Sequence, residues 1–214
     1  LVLINWTLYV WSVNAGHTLD AAMGYFINPL VSALLGVLVL RERLSPAQWM
    51  AFGIGIVAVV VLMVGHSSTP LISLGLAMSF GLYGLVKKVL GVAVKPAVGL
   101  IVETLATTPL ALVYIGWGVA QGKSTFTGSY SLLLVSAGIL TAVPLLMFAF
   151  AASRISLTTL GILQYISPLL QFLVGLFLFG EQMPWQRWVG FSLVWVAVVM
   201  FSAEGLIRLV RRTR

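Results

Sequence analysis

Few side chains in this sequence can do chemistry, and most of them stand inside apolar runs. Glu103 is the clearest, about two turns into a hydrophobic stretch, with Thr104, Thr107 and Thr108 beside it. A carboxylate in hydrocarbon is costly, so it faces a cavity, pairs with a cation or carries protons. Lys87 is its natural partner, near the end of the preceding apolar stretch, with Tyr83 one turn earlier on the same face. In the alternative, Lys87 snorkels to lipid headgroups and Glu103 is a protonated hydrogen-bond donor. Two polar stripes come next. Tyr25, Asn28, Pro29 and Ser32 fall at i, i+3, i+4 and i+7, one face of a helix. Gln164, Ser167, Pro168 and Gln171 repeat that spacing, with Tyr165 adjacent. Proline removes a helical hydrogen bond and frees a carbonyl one turn earlier. In lipid such groups persist only where protein or a water-filled cavity satisfies them. The stripes therefore read as walls of a substrate path, or else as polar glue between helices. Asn5, Tyr9 and Asn14 are lesser candidates for the same path. His17 and Asp20 sit at a helix start, where Asp20 complements the helix dipole.

Other chemistries are excluded by what is missing. The chain has one Asp, two His and no Cys. That rules out a paired-aspartate protease, an HExxH metal site and thiolate catalysis. No Gly-x-Ser-x-Gly run or phosphate-cradling glycine loop is present. No catalytic residue, metal site or cofactor is expected. An intramembrane enzyme is the least supported class, behind a non-transporting membrane subunit or a passive channel.

The elements that must position these groups follow from composition. Of 214 residues, 60% are hydrophobic and 8% charged, with a mean hydropathy of +1.09. A soluble domain carries about 25% charged residues, so this chain belongs in a membrane. Its apolar runs are too long for barrel strands and fit helices of about 20 residues. Eight spans are predicted: 1–15, 18–40, 46–64, 71–90, 97–120, 130–153, 157–179 and 185–207. If they alternate, ten of the twelve basic residues fall on one side, and only Lys123 and Arg187 on the other. The basic side is cytoplasmic, with the C-terminus on it. The +7 charge is thus a mark of topology rather than of nucleic-acid binding. The tail arginines (Arg208, Arg211, Arg212 and Arg214) suit anionic lipid. Trp49, Trp117, Trp185 and Trp188 lie near span ends, as interfacial aromatics do.

An ungapped offset of 139 residues aligns Tyr25–Leu62 with Gln164–Phe201. It matches Pro29 with Pro168, Gly36 with Gly175, Glu42 with Glu181, Trp49 with Trp188 and Phe52 with Phe191. Five helices separate equivalent points, so the copies are inverted in the membrane, as in secondary transporters with a site at the midplane. Residues 1–67 read as the last three helices of a first repeat. Residues 68–214 read as a complete second repeat of five helices with a basic cytoplasmic tail. The expected fold is an all-α integral membrane protein of inverted five-helix repeats, with eight of ten transmembrane helices present and the parent chain beginning further upstream.

Several runs carry a family resemblance: Asn14–His17, Asp20–Leu30, Tyr83–Lys88, Glu103–Leu105, Pro144–Leu146 and Gln164–Pro168. Together they resemble the RarD-type EamA transporters of the drug/metabolite transporter superfamily. The resemblance implies a ten-helix carrier of the bacterial inner membrane moving a small organic metabolite or drug-like molecule outward. Expected partners are membrane lipid, the small-molecule substrate, protons as a candidate coupling ion and a second copy in a homodimer. Nucleic acid is not among them.

Overall fold

The computed structural model describes residues 1–63, 70–122, 129–167, 170 and 185–212. Every regular element among them is a helix. In chain order these are α1 (Val2–Asn14), α2 (Thr18–Leu38), α3 (Pro46–Met63) and α4 (Pro70–Leu90), then α5 (Pro96–Ala120), α6 (Ser129–Arg154), α7 (Leu157–Leu163) and α8 (Trp185–Arg212). Three of them open on proline, whose fixed φ suits a first turn and whose missing N–H is not needed there. At α3 the start is also boxed. The Ser45 hydroxyl accepts from the Gln48 N–H at 3.1 Å, and the Gln48 side chain accepts from the Ser45 N–H at 2.9 Å.

α3, α5, α4 from Leu71 and α6 from Ser131 are long and apolar enough to cross a membrane. The α5 window has a mean hydropathy of 1.8 and none of it is buried. A helix apolar all round and uncovered is stable in lipid, not in water. This is an all-α membrane protein. The four crossing helices match four of the eight expected spans; among the described residues α2 and α8 contribute the shorter apolar segments Met23–Leu38 and Trp188–Met200, and two further expected spans differ more. α1 has 13 residues. The span expected over 157–179 is interrupted, because α7 stops at Leu163 and Gln164–Tyr165 form a turn before helix resumes at Ile166. Pro168 has no N–H for the Gln164 carbonyl, four residues back, and that carbonyl accepts instead from the Ser167 N–H at 3.2 Å. Pro29 occupies the matching position, yet α2 runs through it unbroken.

The chain divides into two compact units, residues 1–85 with 156–214, and residues 86–155. In the first unit, repeat-equivalent helices pack on each other, α3 on α8 and α2 on α7. On α3 the buried face is Ala51, Gly55 and Ala58; on α8 it is Gly190, Val194 and Ala197, the same positions shifted by 139. Small residues at such a face let helices approach closely. Ala58 packs with Met23, Phe26, Val59, Leu62, Tyr165 and Val194. Its equivalent Ala197 packs with Ile162, the equivalent of Met23, and with Ala51. Asn28 meets Gln164 and Gly36 meets Thr158, so α2 and α7 run antiparallel. Leu62 against Gly190 and Ala51 against Ala197 make α3 and α8 antiparallel as well.

α2 and α7 cross at Gly161. A Cβ there would stand 2.8 Å from the Ser32 Cβ and 2.9 Å from the Pro29 carbonyl oxygen. Neither neighbour is a flexible chain end, so Gly161→Ala should separate the helices and cost about 1–3 kcal/mol. A lowered apparent Tm in detergent is the expected readout; an unchanged Tm would contradict this crossing.

In the second unit α5 packs on α6, and the Lys88 ammonium donates to the Ile155 carbonyl at 2.5 Å, just past the end of α6.

Candidate functional site

The crossing of α2 and α7 buries polar atoms without a partner among the described residues. Asn28 and Ser32 are almost wholly buried on α2, and Tyr165 is 2% exposed just after α7. Helical spacing sets Asn28 and Ser32 one turn apart on one face, while the turn after α7 presents Gln164 and Tyr165 to that face. The Asn28 amide donates to the Gln164 side-chain oxygen. That bond uses one half of each amide. Asn28 Oδ1, Gln164 Nε2, Ser32 Oγ and the Tyr165 hydroxyl remain without a partner among the described residues. Leaving one buried polar group unpaired costs about 1–3 kcal/mol; Asn28, Gln164 and Ser32 face the α2–α7 crossing, while the Tyr165 hydroxyl lies toward Gly55 on α3. A separate, mostly apolar cavity of about 10 Å³ reaches Pro29, Ala33, Ile162 and Tyr165 but none of Asn28, Ser32 and Gln164, and has room for one water at most. The cluster offers an acceptor, a donor and two hydroxyls, and no charge. Its chemistry matches neutral hydrogen-bonding groups, and it has no nucleophile with a base beside it.

The other residues of the stripes are distributed unevenly. Tyr25 is half-buried, its ring edge-on to Tyr9 at 5.8 Å, which joins α1 to α2. Pro29 is fully buried. Ser167 is exposed. Pro168 and Gln171 lie outside the described residues. Asn5 is buried, and its amide donates at 2.9 Å to both the Leu76 carbonyl and the Ser79 hydroxyl. It thus spends both donors on α4. Asn14 is exposed and donates to the Val10 carbonyl in its own helix.

A second polar site lies in the other unit, where Lys87 Nζ and Glu103 Oε1 are 2.7 Å apart. The Lys87 side chain is 6% exposed and that of Glu103 30%, so one oxygen of the carboxylate pairs while the group keeps a route outward. The threonines beside it do not join in. The hydroxyls of Thr104, Thr107 and Thr108 donate to the carbonyls of Leu100, Glu103 and Thr104 respectively, within α5. Tyr83 is buried with its ring 5.7 Å from that of Phe80. Among the described residues no three His, Cys, Asp or Glu side chains gather as a metal site.

Comparison with known proteins decides the family. Residues 1–64 match the EamA-like transporter family. Over the whole chain, the sequence is 49% identical to Protein RarD of Streptomyces exfoliatus, covering 68% of that protein. It is 42% identical to Protein RarD of Escherichia coli K12, over 94% of this chain and 69% of the other. This chain is a RarD-type member of the EamA-like transporter family. A transporter of Vibrio cholerae is also 42% identical, over 94% of this chain. A solved crystal structure superposes with a TM-score of 0.67 at 19% identity, covering 92% of this chain and 72% of the other, which shows a shared fold. A multi-pass transporter of a bacterial membrane accounts for both the apolar helices and the relatives.

One residue of this RarD-type chain was readable in sequence only as a marker of the repeat. Glu42 reaches from the corner after α2 to the start of α7. Its Oε1 accepts from the Leu157 N–H at 2.6 Å, and its Oε2 accepts from the Thr158 N–H at 3.0 Å and the Thr158 hydroxyl at 2.6 Å. The shared register of Glu42 and Glu181 was the available signal, but it carried no hint of the partner, which lies 115 residues away.

Proposed function

We propose that this transporter is a secondary carrier that exports a small, neutral, hydrogen-bonding organic molecule across the bacterial inner membrane, with its C-terminus in the cytoplasm. Residues 1–67 and 68–214 act as parts of two inverted repeats that rock about a central site. The observation that carries this reading is the set of four unpartnered polar atoms buried between repeat-equivalent helices. They bind solute when the chamber opens to one side, and collapse around water when it closes. Asn28, Gln164, Ser32 and Tyr165 supply the contacts, with Tyr25 and Tyr9 along the path. Glu103, held by Lys87, is the group through which protons couple to movement, because a paired carboxylate with an outward route can exchange a proton when the pair opens.

Counterflow in proteoliposomes tests the class. A carrier loaded with a neutral amide or polyhydroxy solute should accelerate entry of the labelled solute from outside. Leak without acceleration indicates a channel, and no flux for any solute in a broad neutral panel indicates a non-transporting subunit. Either of these would defeat the proposal.

A further inference from the structure

α2 meets α7 in three successive contacts, Gly36 with Thr158, Ser32 with Gly161 and Asn28 with Gln164. Steps of four on α2 against steps of three on α7 are an ordinary ridge-and-groove match. Such a pattern recurs every turn, so packing alone does not choose this register. At the middle contact Ser32 Oγ has no partner among the described residues. The Asn28–Gln164 contact supplies one hydrogen bond between neutral side chains. The strong bonds lie at the Gly36 end.

There α2 stops at Leu38, and the chain turns through Arg41 at φ 54. The Glu42 N–H returns to the Gly36 carbonyl at 3.0 Å, and the carboxylate lies across Gly36. From that place it accepts from the Leu157 N–H and from the N–H and hydroxyl of Thr158. Hydrogen bonds to an ionised acceptor are roughly twice as strong as neutral ones. A Cβ on Gly36 would stand 2.7 Å from Glu42 Oε2 and 2.8 Å from Thr158 Oγ1, so the glycine leaves room for this anchor. α7 has another cap, Ser156 Oγ, which accepts from the Thr159 N–H at 3.0 Å. That bond closes the helix start on itself and does not say where α7 lies along α2. With only seven residues, α7 is about 10 Å long, and fixing its start fixes where Gln164 falls.

We infer that Glu42 is a positioning residue for the polar site: it sets the register of α7 along α2 and so brings Gln164 opposite Asn28. The carboxylate comes from one repeat and the helix it holds from the other, so a single side chain ties the two walls together. The inference rests on the carrier reading above for what the site does. Its test needs no solute, so the two can fail separately.

The chain has no cysteine, so Asn28→Cys with Gln164→Cys gives two thiols whose approach reports the register. The rate at which a short bis-thiosulfonate links them in native membranes is the readout. In this background Glu42→Ala should slow linking about tenfold, through loss of three charge-assisted hydrogen bonds. Gly36→Ala should slow it similarly although alanine favours the helix, because the Cβ displaces the carboxylate. That variant also keeps the test open if Glu42→Ala fails to insert. Ser156→Ala removes the other cap of α7 and should leave linking unchanged, whereas mere capping by Glu42 would make the Ser156 and Glu42 variants alike. Unchanged linking in Glu42→Ala or in Gly36→Ala, or equal slowing in Ser156→Ala, overturns the inference.

Discussion

Replacing Asn28 and Gln164 together by leucine should leave the protein at least as thermostable as its parent while transport falls about 100-fold. The two readouts are expected to move apart because the amide pair is poor as a structural contact. It makes one hydrogen bond and leaves an acceptor and a donor buried without partners among the described residues. Removing both halves of a half-satisfied pair removes an uncompensated desolvation cost, and leucine fills a similar volume. Single substitutions should be worse than the double, since Asn28→Leu strands both ends of the Gln164 amide. Transport falls because two hydrogen bonds to solute are lost, each about 1.5 kcal/mol. Polar glue would behave oppositely: the double variant would lose stability, by about 0.6 kcal/mol for each interhelical bond, and keep its flux. Apparent Tm in detergent and counterflow rate, measured on the same preparation, separate the two.

Glu103→Gln should lower stability by about 3 kcal/mol and remove the pH dependence of transport. Its partner Lys87 is 6% exposed at the side chain, so deleting the carboxylate strands a buried ammonium, and breaking such a pair costs about 3–5 kcal/mol. The lower end applies here because the glutamate side is partly open. Lys87→Met combined with Glu103→Gln should recover most of the loss, since no charge is then left buried. Flux in the double variant should persist at a rate that no longer responds to a proton gradient. A double variant that recovered both its Tm and its gradient response would confine Glu103 to a structural role.

Much of this was legible in the sequence, for physical reasons. Long apolar runs are a one-dimensional signal, so the span starts expected at 46, 71 and 97 fall within a residue of the starts of α3, α4 and α5. The Lys87–Glu103 pair was legible because an antiparallel hairpin of adjacent helices fixes the depth of both ends. Three features were not. The break at Gln164–Tyr165 depends on how a freed carbonyl is satisfied, and the same proline leaves α2 intact at Pro29. The role of Asn5 depends on α4 passing within reach at Leu76 and Ser79, a contact more than 70 residues distant. Glu42 depends on a left-handed arginine, which no propensity would suggest. The threonines around Glu103 looked like company for it, yet hydroxyls on a helix bond their own carbonyls when nothing better is offered.

The central claim is that water and solute reach the face of α7 that carries Gln164. Adjacent thiols test it most directly, since Leu163 is 44% exposed on the other side of the helix end and lies at nearly the same depth as Gln164. With Leu163→Cys and Gln164→Cys placed separately in this cysteine-free chain, a small charged thiosulfonate should modify position 164 at least about tenfold faster, because only a hydrated thiol ionises. Equal, slow modification of both, or faster reaction at position 163, would contradict a wet path between α2 and α7.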